Sequence, residues 1–340
     1  MKPTIYDIAR LSGVSTATVS HVLNNTGRVR ATTQEKVLRV INELEYQRDT
    51  TASALAGKNS YSIGFLVPDV NNLYFAEILR GVEDEAFQCG YSILICNTDH
   101  DQEKERTYLK MLRNKRMDGI IIATGSTPSA VIEDLARDNI HVTVLSREIP
   151  DTSIATVTVD NYLGGYMAAQ HLAALRHRHI GFITEPLTIG SSRDRLRGFE
   201  TALCDEAPQT RMYLSNDSGF GIQTGTRIAT ELITKHPVSA IFAANDQLAV
   251  GAIQACRQLG KRVPEDISII GFDDTVLAKI VHPPLTTIAQ PMYELGKRAA
   301  SLTVTSIETG RQALEGVILK PELVVRESTG MFESERTDAR

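Results

Sequence analysis

The sequence predicts an all-α helix-turn-helix headpiece followed by an α/β body of two similar lobes. Three observations carry that prediction. A helix-turn-helix pattern occupies the first 23 residues, two successive series of short apolar runs alternate with helical periods from Ser62 onward, and the charge divides between these two regions. With 340 residues and 42% hydrophobic content, the chain can build two or three domains with proper cores.

The head is read from sterics. Ala9 is small where a first helix must let a second cross above it, and Gly13 supplies the sharp turn between them. Ser15 suits the N-cap of the second helix, Val19 and Leu23 share its inner face, and Thr16, Ala17, Thr18, Ser20 and His21 are left pointing outward. Short polar side chains near a helix N-terminus suit the DNA major groove, where that end of a recognition helix meets base edges. Taken alone, the same letters also describe an ordinary helical hairpin. Thr32 to Glu35 then opens a third helix, with Val37, Val40, Ile41 and Leu44 as its apolar stripe. The headpiece is assigned to residues 1–46.

Residues 47–60 form a polar hinge with one large apolar side chain, Leu55, and a glycine stop at Gly57. Such a segment is too short and too poor in apolar residues to hold a helix by itself, but can become helical when paired with a twin on DNA. Residues 1–58 carry eight Lys/Arg against five acids, a surplus of +3, whereas the whole chain carries −5, leaving −8 on the rest. This split suits a DNA-binding head on a body that repels DNA elsewhere. The modest surplus on the head implies that two heads act together.

The body is assigned to residues 61–330. Its strand-like runs are 63–67, 91–95, 119–122 and 142–145, then 180–183, 240–243 and 267–271. Short runs that are apolar on both faces, separated by amphipathic helices, signal parallel sheets covered on both sides. The N-lobe is placed at about 61–161 with 292–320, the C-lobe at about 162–291 with 321–330, and a polar tail at 331–340. In open α/β sheets ligands bind beyond the carboxyl ends of the strands. That rule nominates Asp69, Asn97 to Asp99, Ser146-Arg147, Asp160-Asn161, the loop before Arg195, Asn245-Asp246 and Asp273-Asp274.

Several function classes fall away. The body has no GxGxxG after the first strand of either lobe, no GxxxxGK[ST], no GxSxG and no HExxH, so no enzyme activity and no cofactor are expected. Gly219 to Gly225 has the wrong glycine spacing for a dinucleotide and reads as a turn. His177 and His179, set among arginines, read as a solvated basic loop rather than metal ligands. Cys89, Cys96, Cys204 and Cys256 lack zinc or disulfide spacing and read as buried free thiols. No apolar run is long enough for a membrane span, and the start has no apolar signal core, which places the chain in the cytoplasm.

At many separated points the residues resemble the lac repressor and galactose repressor (LacI/GalR) family of bacterial transcription factors. The head carries Thr4-Ile-Tyr-Asp-Ile-Ala9 and Gly13-Val-Ser-Thr-Ala-Thr-Val-Ser20. The body carries Tyr74-Phe75-Ala-Glu77, Val159-Asp160-Asn161, Arg195-Leu-Arg-Gly198-Phe199, Asn245-Asp246, the segment from Val263 to Asp273, and Leu285 to Pro291. The resemblance implies a body of the type I periplasmic-binding-protein kind and a homodimer on two-fold operator DNA, associated with the nucleoid. It implies base reading by Thr16, Ala17 and His21, with Tyr6, Ser15, Thr18 and Ser20 on phosphates or packing the helix. Leu55 matches the hinge leucine that wedges into the minor groove. Ser53, Arg48 and Asp49 depart from the usual hinge pattern.

In the body the resemblance implies an effector cleft, with Arg195 and Asp273 as paired ligand-holding residues. An Arg donor fork beside a carboxylate acceptor suits neighbouring hydroxyls on a polyol ring; a structural ion pair between the two is the alternative. Phe75 and Phe220 match positions against the ligand ring, and Asn245 and Gln290 add amide contacts. Ser146-Arg147 stands where some relatives have Asp with an aromatic, an arrangement suited to a purine corepressor. Arg147 beside Arg195 leaves sugar, sugar acid and sugar phosphate open. Further alternatives are control by a phosphocarrier-type partner protein, or a sugar-binding module or enzyme with a vestigial head. The tail lacks leucine heptads, so a dimer is expected rather than a tetramer.

Overall fold

The computed structural model describes residues 3–23, 29–44, 60–125, 127–138, 140–146, 154–215, 217–314 and 316–332. The chain divides into two compact units, 1–60 and 61–340. The hinge prediction, including Leu55, Ser53, Arg48 and Asp49, lies outside the described residues, as does Arg147.

The first unit holds α1 (Ile5–Ser12), α2 (Thr16–Leu23) and α3 (Ala31–Glu43). Thr4 precedes α1, and its backbone N–H and hydroxyl both donate to Asp7 Oδ2, at 2.9 and 2.7 Å. Those bonds hold the Asp7 carboxyl below the usual carboxylate range. Gly13 closes α1 in the left-handed conformation, φ 67°, as the turn requires. Ser15 Oγ then accepts from the Thr18 N–H at 3.1 Å, the expected cap. The small core is Ile8, Ala9, Val19, Val22 and Val37. Val22 is buried and Leu23 only half-buried, so the inner face of α2 is turned one residue from the predicted Val19–Leu23 line.

The second unit contains two six-stranded sheets. One has the order β11-β5-β4-β3-β1-β2, the other β12-β10-β9-β8-β6-β7. The first uses β1 (Ser62–Val67), β2 (Ser92–Asn97), β3 (Gly119–Ile122), β4 (His141–Leu145), β5 (Ala155–Val159) and β11 (Gly316–Leu319). The second uses β6 (His179–Ile183), β7 (Arg211–Leu214), β8 (Ala240–Ala243), β9 (Ser268–Asp273), β10 (Thr286–Ala289) and β12 (Glu322–Val324). Among the described residues every ladder is parallel except β10–β12. Each sheet is doubly wound, and its strand order reverses between β1 and β3 or between β6 and β8. Those reversals open a crevice at the carboxyl ends. Five described strands, β5, β7, β10, β11 and β12, escaped the sequence reading. β7 and β11 are half-exposed edges without a continuous apolar run, and β10 is rich in threonine.

The covering helices are α4 (Leu73–Gln88), α5 (Gln102–Asn114), α6 (Ser129–Arg137), α7 (Asn161–Ala174), α8 (Gly190–Glu206), α9 (Gly221–Lys235), α10 (Asp246–Gln258), α11 (Val276–Ile280) and α12 (Met292–Thr309). The segment read as a turn, Gly219 to Gly225, instead starts α9. Gly225 packs against the Leu248 carbonyl on α10, a contact that glycine spacing in the sequence does not reveal. Similar close crossings join α4 to α12 through Gly81 and Gly296, and α7 to α8 through Gly165 and Gly198. At these points a methyl group would collide with a backbone carbonyl of the partner helix.

The C-lobe contains two buried titratable groups with opposite effects on stability. Asp246, at the start of α10, is fully buried and accepts from the Thr275 N–H at 2.7 Å, the Thr275 hydroxyl at 2.9 Å and the Thr287 hydroxyl at 2.7 Å. Burial pushes its pKa up to about 6. His177 is 2% exposed, which corrects the solvated-loop reading. Its Nε2 donates to the Gly330 carbonyl at 3.1 Å, so its Nδ1 takes the Ser239 hydroxyl proton at 3.0 Å. The Phe332 ring lies 5.7 Å away. His179 is half-buried and bonded to the Tyr213 hydroxyl. Both rings hold protein structure, His177 under the C-terminal segment and His179 against Tyr213 of the neighbouring strand β7. Cys96 and Cys256 are buried as expected, whereas Cys89 and Cys204 are exposed, since each ends on the outer face of a helix.

Burial pushes the His177 pKa down to about 4. The unfolded chain, with a histidine near 6.5, therefore binds more protons between those values, and stability falls as pH drops through that window. Moving from pH 7 to pH 5 is expected to remove about 2 kcal/mol through this residue. Asp246 titrates in the overlapping window with the opposite sign, so the measurement is a difference. Urea midpoints at both pH values should show a larger acid loss for the wild type than for His177→Gln; equal losses would contradict the assignment.

Candidate functional site

In the first unit, the outer face of α2 presents the residues named for DNA. Ala17 and His21 are exposed, and Thr16, Thr18 and Ser20 are half-exposed. Ser15 and Thr18 also bond to each other through their hydroxyls at 2.9 Å, so this pair shapes the start of the helix. Tyr6 is 73% exposed on α1, leaving its phenol at the surface. The face is thus a helix N-terminus ringed by short polar side chains, with a fixed cap behind it.

In the second unit a crevice opens at the carboxyl ends of both sheets. Its inner chamber, about 80 Å³, is lined on the N-lobe side by Asn72, Tyr74, Phe75, His100 and Ser146, and on the other side by Asn161, Glu185, Arg195, Phe220 and Asp273. An outer chamber of about 370 Å³ shares His100 and Phe220 as walls. These two rings stack across the crevice with centroids 3.9 Å apart and planes at 14°. His100 stands after β2, where both it and Asp99 adopt left-handed backbone, φ 58° and 53°. Burial lowers the His100 pKa, opposed by the negative charges of Glu185, Asp69 and Asp99.

Arg195 rises from α8 and is buried. Its Nε donates to Asn161 Oδ1 at 2.9 Å and one Nη to the Ala244 carbonyl at 2.5 Å. The guanidinium lies 3.7 Å over the Phe272 ring. Among the described residues no carboxylate pairs with Arg195 within 4 Å, so the structure does not contain the alternative Arg195–Asp273 ion pair. Arg195 lines the chamber, with its Nε and one Nη already bonded to protein oxygens.

Asp273 ends β9 with φ 117°, followed by Asp274 at φ 61°. Two successive positive φ values on non-glycine residues turn the carboxylate into the chamber at a local backbone cost of about 1–3 kcal/mol each. Gln290 Nε2 donates to Asp273 Oδ1 at 2.6 Å, and the Tyr74 hydroxyl donates to Gln290 Oε1 at 3.5 Å. Tyr74 also bonds Ser146 at 2.8 Å. This chain of bonds ties the N-lobe to the C-lobe carboxylate. Burial holds the Asp273 pKa well above the ordinary value, Arg195 opposes that shift, and Asp246 and Glu185 add to it. Burial likewise raises the Tyr74 phenol, which stays a proton donor.

The nominated residues therefore divide. Phe75, Ser146, Asn161, Arg195, Phe220 and Asp273 line the inner chamber. Asn245 and Gln290 stand behind it: Asn245 donates to Glu185 at 2.7 Å and caps α10 through Leu248, and Gln290 holds Asp273. Asp246 is sealed beneath the sheet by its threonines, and Asp274 pairs with Arg326 at 2.5 Å.

Residues 4–49 match the family described as bacterial regulatory proteins, lacI family, and residues 169–329 match the periplasmic binding protein-like domain. The chain is 40% identical over 332 residues to the HTH-type transcriptional regulator DegA of Bacillus subtilis, covering 97% of this chain and 98% of that protein. The chain belongs to the lacI family of bacterial regulatory proteins. It is also 38% identical to the ribose operon repressor of Halalkalibacterium halodurans, covering 96% and 97%. Against the HTH-type transcriptional repressor PurR of Photobacterium profundum the figures are 36% identity, 96% and 98%. Among solved structures, a lac repressor dimer bound to operator and the anti-inducer ONPF superimposes with a TM-score of 0.84 at 29% identity, covering 97% of this chain and all of that one.

This LacI-family regulator has site residues that sequence reasoning missed. His100 lies one position beyond the nominated Asn97 to Asp99, and Tyr74 sat inside a quoted motif without a role. Glu185 falls within the nominated loop before Arg195 without being singled out there; it follows β6 within two residues, where the strand-end rule places ligand contacts.

Proposed function

We propose that this LacI-family transcriptional regulator is a ligand-gated repressor that acts as a homodimer on a two-fold operator and releases it on binding a carbohydrate. The observation that carries the effector class is the inner chamber itself. It sets an arginine donor beside a buried carboxylate acceptor, with Phe75 and Phe220 as apolar walls, a combination that suits a ring with adjacent hydroxyls. The ribose operon repressor relative supports a sugar, while the PurR relative supports a purine. Ser146 favours the sugar, because its hydroxyl is bound to Tyr74 and offers no carboxylate to a base.

Ligand bound between the lobes favours their closed arrangement and biases the two hinges. The effect on DNA equals the ligand's differential affinity for the two arrangements, typically 1–3 kcal/mol. Thr16, Ala17 and His21 read bases, Tyr6, Ser15, Thr18 and Ser20 orient the head on phosphates, and Leu55 wedges between base steps. The test is a gel shift on the regulator's own promoter region, with and without sugars that raise its melting temperature. A specific complex weakened by sugar is expected; no specific complex under any condition would sink the repressor reading. In the same assay Leu55→Ala should weaken the complex at least about tenfold while sugar affinity in calorimetry stays unchanged. Parallel loss of both would place Leu55 in a core instead.

A further inference from the structure

Glu185 has no place in the arginine–carboxylate pairing that defines the chamber, yet it lines the same wall. It follows β6 beside the β6/β8 reversal, and two neighbours fix its carboxylate. Asn245 Nδ2 donates to Oε1 at 2.7 Å, and the Ser192 hydroxyl donates to Oε2 at 3.3 Å. Asn245 is 2% exposed and is itself locked by capping α10 through the Leu248 N–H at 2.8 Å. The carboxylate is therefore positioned from behind by buried groups and keeps lone pairs for the chamber, since each oxygen can accept more than one hydrogen bond.

The charges around it give this placement a consequence. Among the described residues lining the inner chamber, the carboxylates are Glu185 and Asp273, and the one guanidinium or ammonium is that of Arg195. Arg195 already spends two donors on Asn161 and the Ala244 carbonyl. His100 is drawn toward its charged form by Glu185, and its burial opposes this. A phosphate or carboxylate brought into this chamber would meet the held, half-buried Glu185 carboxylate, and like charges repel. A hydroxyl or ammonium would instead find a held acceptor.

We infer that Glu185 is a specificity-determining residue that makes the chamber accept neutral or amino sugars and reject sugar acids and sugar phosphates of the same ring. This rests on the carbohydrate reading of the chamber and names the ligand class within it.

The test uses ring-matched probes on the full-length protein: D-glucose, D-glucosamine, D-glucuronate and D-glucose 6-phosphate, with the corresponding galactose set, and D-ribose with D-ribose 5-phosphate. Affinities are read by calorimetry in the wild type and in Glu185→Gln. That substitution keeps an oxygen for Asn245 and removes the charge, while its amide NH2 replaces the oxygen that accepts from Ser192 and can donate to that hydroxyl instead. The wild type should bind a neutral or amino member at least about thirtyfold more tightly than its anionic counterpart, and the variant should narrow that ratio by about tenfold. A wild type that prefers an anionic member, or a ratio unchanged in the variant, overturns the inference while leaving the carbohydrate reading intact. No binding by any member overturns both. Should the variant fold poorly, the wild-type ratio alone still decides.

Discussion

Replacing Gly165 by alanine should lower the melting temperature of the body by about 5 °C or more and loosen effector binding together with it. Gly165 on α7 faces the backbone of Arg195 on α8, and Gly198 on α8 faces the backbone of Tyr162 on α7. A methyl at 165 would overlap the Arg195 carbonyl oxygen and its Cα, which are backbone atoms and cannot rotate aside. The helices must separate, and overpacking of this kind costs about 1–3 kcal/mol, or about 2–4 °C per kcal/mol for a domain of this size. The carbonyl that would be pushed belongs to the residue whose guanidinium holds Asn161 and Ala244. A displacement on the order of 1 Å there breaks hydrogen-bond geometry, so affinity falls as well as stability. Gly190→Ala, at the open start of the same helix, meets only the end of the Arg193 side chain and serves as the control. Thermal unfolding and calorimetry on both variants check this. Equal melting temperatures for the two would show that the crossing is not tight.

Arg195→Ala should cost still more. The substitution leaves Asn161 Oδ1 and the Ala244 carbonyl without their buried donor and strips a cation from the face of Phe272. Leaving buried acceptors unpaired costs about 1–3 kcal/mol each, and the lost cation–π contact adds about 1 kcal/mol. It also removes the guanidinium that opposes the raised Asp273 pKa, so that carboxyl should take up a proton more readily. The expected result is a loss of sugar affinity of at least about a hundredfold, from the missing charged donor and the disturbed site. Arg195→Lys keeps the charge but cannot reach Asn161, Ala244 and a ligand with one fork, so it should recover only part of the affinity. An alanine variant that binds sugar like the wild type would remove Arg195 from the site.

Both expectations turn on contacts of different legibility. The head could be read almost letter by letter because its logic is local. Gly13 makes a turn, Ser15 caps the next helix three residues on, and Val19 reaches Ile8 and Ala9 across that single turn. Where reading failed in the head, at Val22 against Leu23, the error was one residue of helical phase. In the body, continuous runs such as Ile120 to Ile122 announced buried strands, but β7 and β10 did not, since an edge strand needs no second apolar face and Thr286 and Thr287 satisfy their hydroxyls inside the sheet. His177 misled because its arginine neighbours are exposed while its ring turns inward to Ser239 and Gly330.

The sequence by itself determined the two-part organisation, the recognition helix, the doubly wound lobes and six chamber residues, Phe75, Ser146, Asn161, Arg195, Phe220 and Asp273. Each follows from short-range periodicity, from strand-end position or from family motifs. Tertiary structure alone decided that Asn245 and Gln290 stand behind the chamber, that Tyr74 connects to Asp273 through Gln290, that His100 closes on Phe220, and that Glu185 lines the chamber. The physical reason is separation along the chain. Tyr74 and Gln290 lie 216 residues apart, and Glu185 and Asn245 lie 60 apart. No local pattern encodes such pairs, because they exist only once two sheets have brought their carboxyl ends to one crevice.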